Sequence, residues 1–99
     1  MEPRHPGPVW RTRDPRGREV VLKPDRWLDI LIRHNEMNGH RQAILDTVAA
    51  PTMIRQGRAT NERHYFRRRV GPSMWLHVVV HYDDGSGRIT TAFGRRLLP

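Results

Sequence analysis

The stretch Met74-Trp75-Leu76-His77-Val78-Val79-Val80-His81-Tyr82, then Asp83-Asp84-Gly85-Ser86-Gly87, then Arg88-Ile89-Thr90-Thr91-Ala92-Phe93, decides how the rest of the chain is read. Both arms are dense in β-branched and aromatic residues, and acidic and glycine turn formers link them, which predicts an antiparallel hairpin. The first arm alone is apolar enough to be a central, largely buried strand. Side chains alternate along a strand, so Trp75, His77, Val79 and His81 share one face and Leu76, Val78, Val80 and Tyr82 the other. The second set reads as core. The first mixes apolar bodies with two imidazoles and suits a surface that meets something polar. Pairing Tyr82 with Arg88 sets His81 beside Ile89 and Val79 beside Thr91; a bulge in the turn brings Thr90 beside His81 instead. Both registers stay open at this point.

Outward from the hairpin, the period is alternating back to Pro51. Met53–Arg58 and Arg63–Arg69 read as strands joined by a turn at Thr60-Asn61-Glu62. In the second strand Arg63, Tyr65, Arg67 and Arg69 share one face, and His64, Phe66 and Arg68 the other. Before Pro51 the period is helical. Trp27, Ile30, Leu31 and His34 recur on one face of a helix over Asp25–Asn35, started by Pro24 and Asp25. A second helix runs from about His40 to Ala50, with Ile44, Leu45 and Val48 inward. Glu19–Lys23 is a short strand. Residues 1–18, rich in proline, glycine and arginine, read as a loose basic segment with a short extended piece at Val9-Trp10-Arg11. The expectation is a single α+β domain over residues 19–99: two N-terminal helices on one side of a four-stranded antiparallel meander.

Ninety-nine residues suffice for one small domain. No apolar run is long enough to span a bilayer, and no apolar stretch near the start resembles a signal peptide. Cysteine is absent, which removes disulfides and thiolate metal sites and fits a cytoplasmic protein. The net charge of +8 is lopsided. Residues 1–50 hold nine Lys/Arg against seven acids, whereas residues 51–99 hold nine arginines against three. The positive field therefore sits with the hairpin. With 17 arginines to one lysine, the planar fork that grips phosphate bidentately is abundant. A basic face for nucleic acid is the leading inference.

The chemistry-bearing groups are few. His34 ends a helix with its ring directed at the sheet. Arg63 and Tyr65 share a strand face, Arg58 precedes the neighbouring turn, and Arg67 and Arg69 extend the basic edge. His77 and His81 share a face, but four residues of strand separate them by about 13 Å, too far for zinc ligands that converge at about 2 Å. No His-x-His, His-Glu-x-x-His, glycine-rich phosphate loop or Ser-His-Asp order is present, so neither a metal nor a cofactor is expected.

The order of features resembles the BECR superfamily of metal-independent ribonucleases (barnase, EndoU, the RNase colicins and RelE), and most closely the small BECR-type domains of phage and mobile-element polyproteins. The residues that carry it are Trp27-x-x-Ile30-x-x-x-His34-x-Glu36, Ile44-x-x-x-Val48-x-x-Pro51, Arg63-x-Tyr65-Phe66, Trp75-Leu76-x-Val78-Val79-Val80 and Ile89-Thr90-Thr91-Ala92-Phe93. They span roughly residues 22–93. Asn35 stands where His-Pro-Glu would place proline. The resemblance implies a RelE/barnase-like fold with an active sheet surface, His34 as acid or base, Arg63 or Arg58 on phosphate, and Thr91 as a polar contact.

The reading is a toxin-like ribonuclease in which the RNA's own 2′-hydroxyl is the nucleophile, with His34 and His81 as the acid–base pair. Arg63 and Arg58 neutralise the phosphate. Tyr65, Arg67, Arg69 and Trp75 bind the nucleic acid. The rival is a non-catalytic nucleic-acid-binding module that uses the same arginines and stacks bases on Trp75 or Tyr65. The expected partners are RNA and an acidic antitoxin or immunity protein docked on the basic face.

Overall fold

The computed structural model describes residues 9–99. The elements are β1 (Trp10–Arg13), β2 (Glu19–Leu22), α1 (Pro24–Arg33), a 3₁₀ turn (Asn35–Met37), α2 (Arg41–Ala49), β3 (Met53–Gln56), β4 (Glu62–Arg68), β5 (Trp75–Asp83) and β6 (Ser86–Arg95). They form one six-stranded sheet in the order β1-β2-β6-β5-β4-β3. The four-stranded antiparallel meander expected of a RelE/barnase-like chain is therefore not what forms. β3 to β6 make the meander, but β1 and β2 extend it, and β2 joins β6 in parallel through Val20↔Gly87 and Val21↔Arg88.

The extension has a local cause in a stretch that reads as loose. Asp14 Oδ1 accepts the backbone N–H groups of Arg16 and Arg18, each at 2.9 Å, and the Asp14 N–H donates to Arg18 O. That self-bonded Asp-Pro-Arg-Gly turn aligns Trp10–Arg13 with Glu19–Leu22 as a hairpin. Residues 1–8 of the segment expected to be loose lie outside the described residues.

The β5–β6 hairpin closes on two residues. Asp83 pairs with Ser86, and Asp84 and Gly85 take φ of 49° and 82°, as a type I′ turn requires. Its register is neither of the two expected, and only the Val79–Thr91 pairing of the first is kept. Val79 does face Thr91, but Tyr82 faces Gly87 and His81 faces Arg88, and a bulge between Val79 and Val80 absorbs Thr90. The Thr90 hydroxyl donates to Val79 O at 3.3 Å.

Both helices pack on one face of the sheet. Trp27 and Ile30 of α1 and Ile44, Leu45 and Val48 of α2 meet Tyr65, Leu76, Val78, Val80, Tyr82 and Ala92 in one core. Each such aliphatic or aromatic side chain removed from water contributes about 1.5–3 kcal/mol. Where β6 meets β2, Gly87 is crowded by the side chains of β5: a Cβ there would lie 2.7 Å from Val80 Cγ1 and 2.8 Å from Tyr82 Cε1. The opposite face carries no helix. Along β6 the strand β2 reaches only as far as Arg88, so the rest of that edge is free for the end of α1.

Among the described residues, no helix is long and apolar enough to cross a membrane.

Candidate active site on the open sheet face

On the helix-free face, cross-strand register sets Phe66 of β4 opposite His77 of β5 and His77 opposite Phe93 of β6. The rings touch in a row, with centroids 4.2 Å apart for Phe66–His77 and 4.7 Å for His77–Phe93. His34, capping α1 where the chain turns into the 3₁₀ segment, comes round the free edge of β6 and stacks on Phe93 at 5.2 Å. Its ring thus meets the sheet, as the helical spacing implied.

A hydrogen-bonded chain crosses this row. Arg95 Nη1 lies 3.3 Å from His77 Nδ1, His77 Nε2 lies 2.7 Å from His64 Nδ1, and His64 Nε2 lies 3.5 Å from Glu62 Oε2. Arginine can only donate, so it fixes the tautomers. His77 accepts at Nδ1 and donates from Nε2, His64 accepts at Nδ1, and the His64 Nε2 proton points at the Glu62 carboxylate. Burial pushes the His77 imidazole down to about 4, with the charges of His64 and Arg95 acting in the same sense. His77 is 4% exposed and stays neutral at neutral pH.

Glu62 sits opposite His81 in the ladder, on the same face. Burial alone would raise its carboxyl pKa. The Ala59 and Arg58 N–H groups on Oε1, together with the neighbouring His64, overcome this and hold the carboxyl below its usual value. The carboxylate is ionised at neutral pH.

Glu62 and His64 open onto a cleft of about 340 Å³ whose walls include Arg55, Arg58, Phe66 and Pro99. Arg55 Nη1 donates to Pro99 O at 2.7 Å, and its guanidinium lies 5.8 Å from the Phe66 ring centre. The cleft thus places a proton-accepting carboxylate and a proton-donating imidazole side by side, with two guanidinium groups at hand. Among the described residues, no three His, Asp or Glu side chains are arranged to hold a metal ion.

The residues singled out in the sequence are dispersed by this geometry. His81 is on the open face, with Nε2 2.8 Å from Asn61 Nδ2, but it lies two pleats along β5 from His77 and so on the order of 13 Å away along the strand. His34, stacked beyond Phe93, and His81 do not meet as a pair. Thr91 is on the same face, half-buried opposite Val79, and Arg58 is at the cleft. Trp75 is half-buried there too, with Arg68 6.0 Å from its ring centre.

Three others point the opposite way. Tyr65 is 1% exposed in the helix-side core and cannot stack a base. Arg63, on the same face, donates to Thr60 O and Glu62 O, and Arg67 donates to Asp46 O of α2. Arg69 leaves the strand at φ 61°.

The sequence gives no motif for Glu62, His64, Arg55 or Arg95, and it marks His77 only as one of two imidazoles on a face suited to polar contact, too far from His81 to share a metal. The signal for His64 was present in the sequence: it alternates with Phe66 on a strand that must pair with the His77/His81 face. Compared with known proteins, the chain matches no family model, no curated protein and no solved structure.

Proposed function

We propose that the protein is a metal-independent, toxin-like endoribonuclease acting from the open sheet face. What supports this reading is the Glu62–His64 couple at the mouth of a cleft flanked by Arg55 and Arg58. A carboxylate held ionised beside an imidazole N–H puts a proton acceptor and a proton donor in one place. Glu62, kept ionised, takes the proton of the RNA 2′-hydroxyl as its oxygen attacks phosphorus. The bond to the 5′-oxygen breaks, and that oxygen leaves with the His64 Nε2 proton, which the newly protonated Glu62, 3.5 Å away, restores to the ring. The products are a 2′,3′-cyclic phosphate and a 5′-hydroxyl. Arg55 and Arg58 stabilise the charge that gathers on the phosphoryl oxygens. His77 and Arg95 are positioning residues that hold the His64 tautomer.

This keeps the chemistry implied by the likeness to BECR ribonucleases but assigns it to Glu62 and His64 rather than to His34 and His81. RNA is the substrate, an acidic antitoxin or immunity protein fits the basic face, and a cytoplasmic site of action goes with both.

The test is cleavage of end-labelled RNA in EDTA by wild type, Glu62→Gln and His64→Gln. Wild type should yield cyclic-phosphate ends, and each variant should lose about 10²–10⁴-fold in rate with RNA affinity retained. Wild-type activity abolished by EDTA, or variants as active as wild type, would refute it. Half-buried Trp75 and Phe93 on the same face favour a second reading, a non-catalytic RNA-binding module. Binding without cleavage by wild type would select that reading.

A further inference from the structure

A second concavity lies on the other face of the sheet. The β1–β2 turn comes over β3 and β4 on that side, and a cavity of about 190 Å³ lies between them. Its walls include Asp14, Arg16, Arg18, Ile54, Arg63 and Tyr65. The open-face mechanism uses none of these side chains.

The carboxylate in this cavity is already saturated. The Asp14 side chain is fully covered. Its Oδ1 accepts two backbone N–H groups, and its Oδ2 accepts Arg18 Nε at 2.8 Å and the Tyr82 hydroxyl at 2.7 Å. The Tyr82 proton is thereby committed, so at the Tyr65–Tyr82 contact of 2.5 Å Tyr65 is the donor. Burial would raise the Asp14 carboxyl pKa, yet the hydrogen bonds from Tyr82 and Arg18 outweigh it and the group is held ionised. Asp14 therefore fixes the turn and has no acceptor position left to bind a further group.

The guanidinium groups are not saturated. The Arg18 guanidinium carbon lies 3.9 Å from the Tyr82 ring centre and only Nε is used, so its two terminal nitrogens make no hydrogen bond among the described residues. Arg63 uses only Nη1, on two backbone carbonyls. The Arg16 side chain makes no hydrogen bond or ion pair among the described residues. Three guanidinium groups against one saturated carboxylate leave an excess of two positive charges around the cavity.

At about 190 Å³ it is smaller than the ~300–1,000 Å³ typical of sites for whole drug-sized ligands. A small dianion rich in acceptors matches both size and charge, and planar forked donors are the side chains that grip phosphate bidentately. Ile54, 44% exposed at the rim, offers apolar surface to whatever carries the anion.

We infer that this cavity binds the terminal phosphate of a phosphate monoester, such as a nucleoside 5′-phosphate or a 5′-phosphorylated RNA end. A diester carries one charge where the cavity offers two, and it needs a second exit for its chain. The inference does not depend on the ribonuclease reading.

Calorimetric titration of the protein with a nucleoside 5′-monophosphate, the unphosphorylated nucleoside and inorganic phosphate tests it. The monophosphate and inorganic phosphate should bind saturably, and the nucleoside should not. Arg16→Gln and Arg63→Gln should each weaken binding about tenfold, the loss expected for one charge-assisted contact, while Arg33→Gln, at the exposed end of α1, should leave it unchanged. Arg16 is exposed and outside the core, so its variant should fold even if Arg63→Gln does not.

If the monophosphate binds better than inorganic phosphate, a sugar phosphate is the ligand; if equally, the phosphate group alone carries recognition, and the site stands in either case. Absence of saturable binding, or binding indifferent to Arg16→Gln, would overturn the proposal. So would loss of binding in Arg33→Gln, or equal competition by a dinucleoside phosphate that lacks a terminal phosphate.

Discussion

Lowering the pH should unfold this protein partly through one imidazole, His77. Its pKa falls from the ordinary 6.5 to about 4, because burial among Phe66, Phe93 and the sheet disfavours the charged ring and His64 and Arg95 add positive charge beside it. The sign follows from proton counting. Above pH 6.5 the ring is neutral in both states and contributes no pH dependence. Between 6.5 and 4 the unfolded chain takes up a proton that the folded chain refuses, so stability falls as pH falls. Below 4 both states are protonated and the loss is complete.

Two and a half pKa units at 1.36 kcal/mol each come to about 3 kcal/mol. That is a large part of the ~5–15 kcal/mol holding a domain of this kind together. Urea unfolding of wild type and His77→Phe between pH 7.5 and 4 isolates the effect, since other titrating groups are common to both. A phenyl ring fits the aromatic row, and His64, partly exposed, can turn its freed nitrogen to water. The variant should gain about 3 kcal/mol relative to wild type as the pH drops through this window. A stability difference that does not change with pH, or a His77 ring that titrates near 6.5 by NMR, would refute the reasoning.

Two further perturbations probe the helix-side face. Tyr82→Phe removes the hydroxyl that links Tyr65 to Asp14 and should cost about 2–3 kcal/mol in denaturant unfolding, with less than additive loss in the Tyr65→Phe/Tyr82→Phe double variant. Additive losses would mean that the two hydroxyls act separately. Gly87→Ala forces a methyl group against Val80 and Tyr82 at the β2–β6 joint and should cost about 1–3 kcal/mol. A thermal midpoint equal to that of wild type would show that Val80 and Tyr82 pack on Gly87 less tightly than described.

Much of the fold is legible in the sequence because periodicity reports burial. Leu76, Val78, Val80 and Tyr82 are all buried, and both helices begin and end within two residues of where apolar spacing and proline place them. What is not legible is pairing that depends on a distant partner. Trp10–Arg13 carries only the weak signal of a short extended piece at Val9-Trp10-Arg11, with nothing to name its partner. It becomes β1 because Asp14 folds the following turn and because Tyr82, 68 residues on, supplies a hydrogen bond that anchors that turn.

The site was half legible for a related reason. Alternation sorted the residues of β4 into two faces, but each face carried one aromatic ring, so nothing local told inside from outside. Tyr65 goes inward because Tyr82 receives its hydroxyl proton there, and that turns His64 and Glu62 outward with His77 and His81. The Arg63 and Tyr65 assigned to RNA belong to the buried face for the same reason.

The parallel joint between β2 and β6 also constrains the order of folding. Val20 must find Gly87, so the sheet's second strand and its last are neighbours across about two-thirds of the chain. Closing so long a loop is entropically costly and makes non-local pairing slow. During synthesis the β1–β2 hairpin must wait, with one edge unpaired, until the β5–β6 hairpin exists. Docking of that hairpin is then the step that seals the core over Tyr82, so the rate at which the native state is reached depends on the lifetime of an exposed N-terminal hairpin edge.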